Sequence, residues 1–152
     1  SSIALSKSGI TIGEYAFSDC ESLPKITLSD GFHDWKAITV SSGNLHFNSF
    51  EGVLFNKDGS ELFNYPLGKS ATTYTVPNSV KTIGNFAFWC CKSLSPITLP
   101  NSFTLIDNFT FYHCESLSSI TLPDGVSLIG DSAFSNCRSL SSINLVGKKK
   151  LF

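Results

Sequence analysis

The sequence contains no methionine, and charged side chains make up only 15% of its 152 residues. Without a starting methionine or a signal peptide, it reads as a mature secreted form or a piece of a longer protein. Its first unit opens almost on a strand, without the polar cap that stacked repeats usually carry, which favours the fragment. Net charge is −1 with no strong block of either sign, so a nucleic-acid footprint is not indicated. The one charge run, Lys148-Lys149-Lys150, reads as a solvated tail. No apolar stretch reaches the roughly 18 residues a membrane helix needs, so direct membrane insertion is not expected. There is no Cys-x-x-Cys pair to suggest zinc. No HExxH, GxSxG or phosphate loop is present either, and His33, His46 and His113 stand in unrelated contexts. No catalytic residue, cofactor or metal is expected.

In place of charge the chain has Ser, Thr and Asn, thirteen phenylalanines, and an apolar fraction of 41%, ample for a core. One phrase recurs between residues 74 and 145. Ile83, Ile106 and Ile129 stand 23 residues apart, as do Phe88, Phe111 and Phe134. Cys91, Cys114 and Cys137 keep the step, and so do Leu94, Leu117 and Leu140. Ile97/Leu99, Ile120/Leu122 and Ile143/Leu145 close each unit. A fixed period of 20 to 29 residues ending in Leu-x-x-Ile-x-Leu marks a leucine-rich repeat solenoid. The expected fold is a right-handed solenoid, mainly β, with short parallel strands and very little helix.

A fourth copy lies near the start. Ile3 and Leu5 match Ile97 and Leu99, and Ile12-Gly13 matches Ile83-Gly84. Ala16-Phe17, Cys20, Leu23, Ile26 and Leu28 complete it. Ile38 and Val40 look like the next strand of an abbreviated unit that has lost its Ile-Gly-x-x-Ala-Phe-x-x-Cys section. Val53, Leu54 and Phe55 then face Leu62, Phe63 and Tyr65 across a turn at Asp58-Gly59, a dipeptide suited to positive φ. Pro66 and Gly68 end that hairpin. We therefore expect a single domain over 1–152. It has regular repeats at 1–28 and 74–145, an abbreviated repeat with a hairpin insert at 29–73, and a basic tail at 146–152.

Within one unit, Ile120 and Leu122 point to one side of a strand and Thr121 to the other. Stacked units place such strands about 4.8 Å apart, so like residues form ladders. Phe88, Phe111 and Phe134 should stack as a buried spine. Gly84 and Gly130 fit a turn needing positive φ or close backbone approach. Asp107 and Thr110 replace the glycine and alanine of the middle unit, which should be the least regular. The repeat position of Cys20, Cys91, Cys114 and Cys137 makes them a ladder of free, buried thiols, too widely spaced for disulfides. Cys90, beside Trp89, is the candidate exposed thiol. His113-Cys114 resembles a catalytic pair, but neighbours in extended backbone point to opposite faces.

The motif Ile-Gly-x-x-Ala-Phe-x-x-Cys followed by Leu-x-x-Ile-x-Leu-Pro resembles the BspA-like, or Treponema pallidum-type, leucine-rich repeat. The resemblance covers about residues 1–28 and 74–145, and the stretch from Gly52 to Pro66 looks like a segment such proteins often carry. Gly125, where the ordinary consensus has Asn or Cys, sets the chain apart from the ribonuclease-inhibitor type. The resemblance implies a cell-surface or secreted protein that binds host matrix proteins, other cells or bacteria.

Two surfaces are candidates for contact. The exposed side of the strand ladder carries Lys25 and Thr27, Pro96 and Thr98, Ser119 and Thr121, and Ser142 and Asn144. It fits a smooth floor for a broad contact or a plain solvated sheet. The variable slots carry Phe86 and Phe109 at one position and Trp89 and Tyr112 at another; elsewhere these hold Tyr15/Ser18 and Ser132/Ser135. Such a cluster fits a binding strip able to stack sugar rings or take protein anchors. It equally fits packing under a loop or self-association. The function expected is a non-enzymatic, adhesin-like recognition module for a protein or glycan ligand on another cell or matrix. The alternative is a structural spacer or stalk presenting another domain.

Overall fold

The computed structural model describes residues 3–6, 9–12 and 37–147, the first two segments by backbone alone. Thirteen short strands occur among them: β1 (Ile3–Ser6), β2 (Gly9–Ile12), β3 (Ile38–Val40), β4 (Phe47–Phe50), β5 (Val53–Asn56), β6 (Glu61–Asn64), β7 (Tyr74–Thr75), β8 (Thr82–Ile83), β9 (Ile97–Thr98), β10 (Leu105–Ile106), β11 (Ser119–Leu122), β12 (Leu128–Ile129) and β13 (Ser142–Leu145). No helix appears among the described residues.

From residue 74 the chain winds as a solenoid, and each coil has two strand sides and one turn side. On the first side β8, β10 and β12 pair in parallel, with Ile83, Ile106 and Ile129 in register. On the second, β7 pairs with β9 and β11 with β13, also in parallel. Each pairing joins residues one sequence period apart, so the 23-residue repeat is the length of one coil. Prolines start the corner between the two strand sides: Val80, Phe103 and Val126 donate their N–H to the carbonyls of Pro77, Pro100 and Pro123. Proline suits that place because its fixed φ pre-forms the turn.

The interior is the stack of inward residues. Ile83, Phe88, Leu94, Phe103, Ile106, Phe111, Leu117 and Ile120 are buried. Phe88 and Phe111 stack at 5.2 Å, as do Phe111 and Phe134, so the expected spine is present. In the coil of β12 and β13 the ladder residues Leu128, Ile129, Ile143 and Leu145 are exposed, since no further coil covers them among the described residues.

Four expectations need correction. The hairpin expected across Asp58-Gly59 is present as β5 and β6, but it does not stand apart as an insert: with β4 it forms a three-stranded antiparallel meander, and β6 joins the solenoid as its next rung by pairing in parallel with β8. Tyr65, one period before Phe88, extends the spine by stacking on it at 5.1 Å. The second concerns Ile38 and Val40, which pair in parallel with β2 and so belong with the Ile12-type strand, not with the Ile-x-Leu strand. β1 in turn folds back antiparallel on β2, unlike its proposed counterpart at Ile97.

Third, within the turns that follow β8, β10 and β12 the positive φ values fall not on Gly84 or Gly130 but on Phe86, Cys90, Phe109, His113, Ser132 and Asn136. Gly130 does meet the close-approach condition, because a Cβ there would lie 2.5 Å from the Asn108 nitrogen, whereas at Gly84 it would have ordinary room. Finally, the middle coil is as regular as its neighbours. The buried Thr110 hydroxyl lies 2.7 Å from the Asp107 carbonyl and 3.2 Å from that of Gly84, and Asp107 Oδ1 accepts from Asn108 N–H. Each replacement thus gains a local hydrogen bond of its own.

Candidate functional site

The turn side of the coil is a ribbon in which successive N–H groups alternate in destination. Ala87, Trp89 and Cys91 donate three residues back, to Gly84, Phe86 and Phe88, closing consecutive turns. Phe86, Phe88 and Cys90 donate instead to Asn108, Thr110 and Tyr112 of the next coil. The same alternation recurs one period on, with Phe109, Phe111 and His113 donating to Asp131, Ala133 and Ser135. Left-handed residues four apart make this geometry, and non-glycine residues rarely adopt it. Bonds to the neighbouring coils hold them there.

Two rows of left-handed residues result, Phe86–Phe109–Ser132 and Cys90–His113–Asn136. Phe86 and Phe109 are half-buried, and their rings stack at 5.0 Å with planes 4° apart. Tyr112 meets Phe109 edge-on at 5.8 Å and His113 at 4.7 Å. In the second row Asn136 Nδ2 lies 3.2 Å from His113 Nε2, while Lys92 pairs with Glu115 at 3.2 Å. Stacking turns the phenylalanine faces toward each other along the array. Solvent or a partner therefore meets mainly ring edges, not the flat strip expected for sugar stacking. Ring edges carry the positive end of the quadrupole and suit carbonyl oxygens and apolar side chains.

Trp89 lines a cleft of about 380 Å³ between residues 65–71 and 89–94. On the opposite side of the coil, Thr98 pairs in register with Thr75, and Thr121 with Asn144; all four are exposed. Thr98 and Thr121 also line a shallow cleft of about 220 Å³ beside Pro96 and Ser119. The structure thus joins Phe86, Phe109 and Tyr112 by ring contacts, sets Trp89 at a cleft wall, and keeps Thr98, Thr121 and Asn144 on a separate face. Sequence reasoning missed the second left-handed row. Its signal was present, since His and Asn are residue types enriched at positive φ.

The ladder cysteines are structural. Cys114 Sγ donates to the Phe88 carbonyl at 3.1 Å and Cys137 Sγ to that of Phe111 at 3.0 Å. Burial pushes the Cys91, Cys114 and Cys137 thiols above their ordinary pKa. Cys90 is half-buried; Cys20 lies outside the described residues. The Cys114 thiol turns inward to a carbonyl while His113 meets Asn136, so the adjacent pair makes no catalytic couple. Among the described residues no group of three His, Cys, Asp or Glu is placed to hold a metal. The Tyr65 and Tyr74 hydroxyls are buried without a hydrogen-bond partner, and burial raises both pKa values, that of Tyr65 to about 12.

The BspA type leucine rich repeat region matches residues 1–65 and 57–151 in six copies, which together span nearly the whole chain. The chain belongs to the BspA-type leucine-rich repeat family. No curated protein matches it. Among solved structures, a leucine-rich repeat protein from Eubacterium ventriosum is 30% identical over 91% of this chain and 36% of its own, with a TM-score of 0.76. The pneumococcal vaccine antigen PcpA is 30% identical over 74% of this chain and 33% of its own, with a TM-score of 0.61. A leucine rich cell surface protein from Faecalibacterium prausnitzii is 22% identical over 91% and 52%, with a TM-score of 0.57, and shows the shared fold. The BspA-type repeats seen here thus span 36% and 33% of the length of the first two relatives. Repeats of this family are scaffolds, generally surface modules and generally non-enzymatic.

Proposed function

We propose that this chain is a non-enzymatic, adhesin-like recognition module, displayed at a cell surface or secreted, whose turn side binds a protein on another cell or in the matrix. The observation that carries this reading is the interlocked group of Phe86, Phe109 and Tyr112, confined to two adjoining coils. The matching positions of the next coil are Ser132 and Ser135, so the scaffold does not need aromatics there. A hydrogen-bonded ribbon holds these rings before any partner arrives, which lowers the ordering cost of binding. Outward ring edges favour a protein partner over stacked sugars. The description of the Faecalibacterium neighbour as a cell surface protein supports the location. Self-association through the same rings is a related use. The spacer reading rests on the other face, where Thr75, Thr98, Thr121 and Asn144 present small, uncharged side chains throughout.

The test replaces aromatics with the residue the third coil already accommodates. Phe86→Ser with Phe109→Ser should abolish binding in a screen of extracellular-matrix proteins and whole cells, or dissociate an oligomer, with the melting temperature nearly unchanged. Thr98→Ala with Thr121→Ala should bind normally. Loss of binding in the threonine pair alone would move the site to the strand face. A chain that binds nothing in such a screen would leave the spacer as the better account.

A further inference from the structure

The cleft beside Trp89 has neither Phe86 nor Phe109 in its lining and has a different chemistry. It is lined by Tyr65, Leu67, Gly68, Lys69, Ala71 and the segment Trp89–Leu94. Two lysines, Lys69 and Lys92, are in that lining, and no acidic residue is. Lys69 Nζ donates to the Glu51 backbone carbonyl at 2.6 Å and stands 5.8 Å over the Tyr65 ring. It makes no ion pair with a carboxylate among the described residues. Lys92 pairs with Glu115, but its side chain is 60% exposed, and such pairs are weak and readily exchanged. Tyr65 is buried, and its hydroxyl finds no protein partner. That hydroxyl is closed off from solvent, so Tyr65 contributes ring surface and not its hydroxyl to the cleft lining.

We propose that this cleft is a second site, for a single acidic sugar residue such as a uronic or sialic acid. The ligand carboxylate meets the ammonium groups of Lys69 and Lys92. Its ring lies along Trp89 and Leu67, the mixed apolar and polar lining usual for small-ligand sites. The exposed Ser93 supplies a partner for a hydroxyl. A volume of about 380 Å³ suits one ring and not a folded peptide segment. The Phe86 and Phe109 side chains are not part of its lining, so the two proposals can be tested separately.

The test is titration of the isotope-labelled chain with glucuronic acid and with N-acetylneuraminic acid, followed by amide resonances. Saturable shifts confined to residues 67–71 and 89–94 are expected with at least one of them, and less than a tenth of that response with glucose or acetate. Lys69→Gln with Lys92→Gln should weaken binding at least tenfold, and Trp89→Ser, matching Ser135, should do likewise. Phe86→Ser with Phe109→Ser should leave it unchanged. Unaltered amide signals from β8 to β11 report that each variant is folded. If Lys69→Gln disturbs them through the lost Glu51 bond, Lys92→Gln alone carries the comparison, and undiminished binding by it overturns the proposal. The proposal is also overturned if neither acidic sugar shifts these residues, if glucose or acetate matches the response, or if a glutamate-rich peptide binds where the sugars do not.

Discussion

The Phe88 carbonyl accepts Cys91 N–H at 3.1 Å and the Cys114 thiol at 3.1 Å, so both of its lone pairs are used. The Phe111 carbonyl is served in the same way by Cys114 N–H and the Cys137 thiol. Cysteine therefore does two things in this position: it fills a small apolar gap and caps a carbonyl on the coil before it. Such thiols should resist reagents, and labelling of the native chain should modify at most one of the described sites quickly, Cys90. Rapid modification of Cys91, Cys114 and Cys137 together would contradict this. Burial also makes the ladder sensitive to alkali. Burial holds the folded pKa of Cys114 above the ordinary thiol value of 9.0, so as pH rises the unfolded chain loses that proton first. Stability is full below about pH 9 and drains away above it, by up to about 1.4 kcal/mol per pH unit for each such group. Tyr65, raised from 10.0 to about 12, adds to the loss above pH 10. Melting curves against pH should show this decline, and Cys114→Ala should flatten it while lowering the plateau.

Among the elements, β6 departs furthest from what spacing alone suggests. A hairpin set on one side of a solenoid would tolerate truncation, and Phe63→Ala would then cost less than Phe111→Ala. In the structure β6 lies between β5 and β8, with Leu62 and Phe63 buried on its two faces. Phe63 meets Phe47 edge-on at 5.9 Å. Phe63→Ala and Phe111→Ala should therefore both cost about 3–5 kcal/mol, measurable by denaturant melts. A loss at Phe63 below about 1 kcal/mol would restore the insert. The coils from 74 onward were legible because their spacing is strict, and identical residues one coil apart reveal register directly. Leu62 is 21 residues before Ile83 rather than 23, so period matching passed over β6, although Tyr65 keeps the full step to Phe88. The turn side was legible only as variable slots. Its left-handed rows carry Phe, Ser, Cys, His and Asn instead of glycine, because inter-coil bonds impose the conformation from outside. The cleft was invisible for a related reason: Lys69 and Lys92 line one cleft only after residues 65–71 fold beside residues 89–94.

On the scale of the whole molecule, each coil rests on its neighbours, and damage should spread. Phe111→Ala should lower amide-exchange protection in the coils holding Phe88 and Phe134 as well as its own. A loss confined to residues 105–122 would mean the coils are energetically separate. Circular dichroism of the native chain should be of the strand type, without the paired minima of helix. The turn ribbon has a bearing on assembly. Its inter-coil bonds from Phe86, Phe88 and Cys90, and again from Phe109, Phe111 and His113, all have the N–H on the earlier coil and the carbonyl on the later one. Along this side the stack is polar, like a row of arrows sharing a direction. Two copies brought together at like ends through this ribbon would set donor against donor, or acceptor against acceptor. Backbone pairing there thus forbids the two-fold, isologous dimer and permits only head-to-tail addition, which forms rings or open fibres.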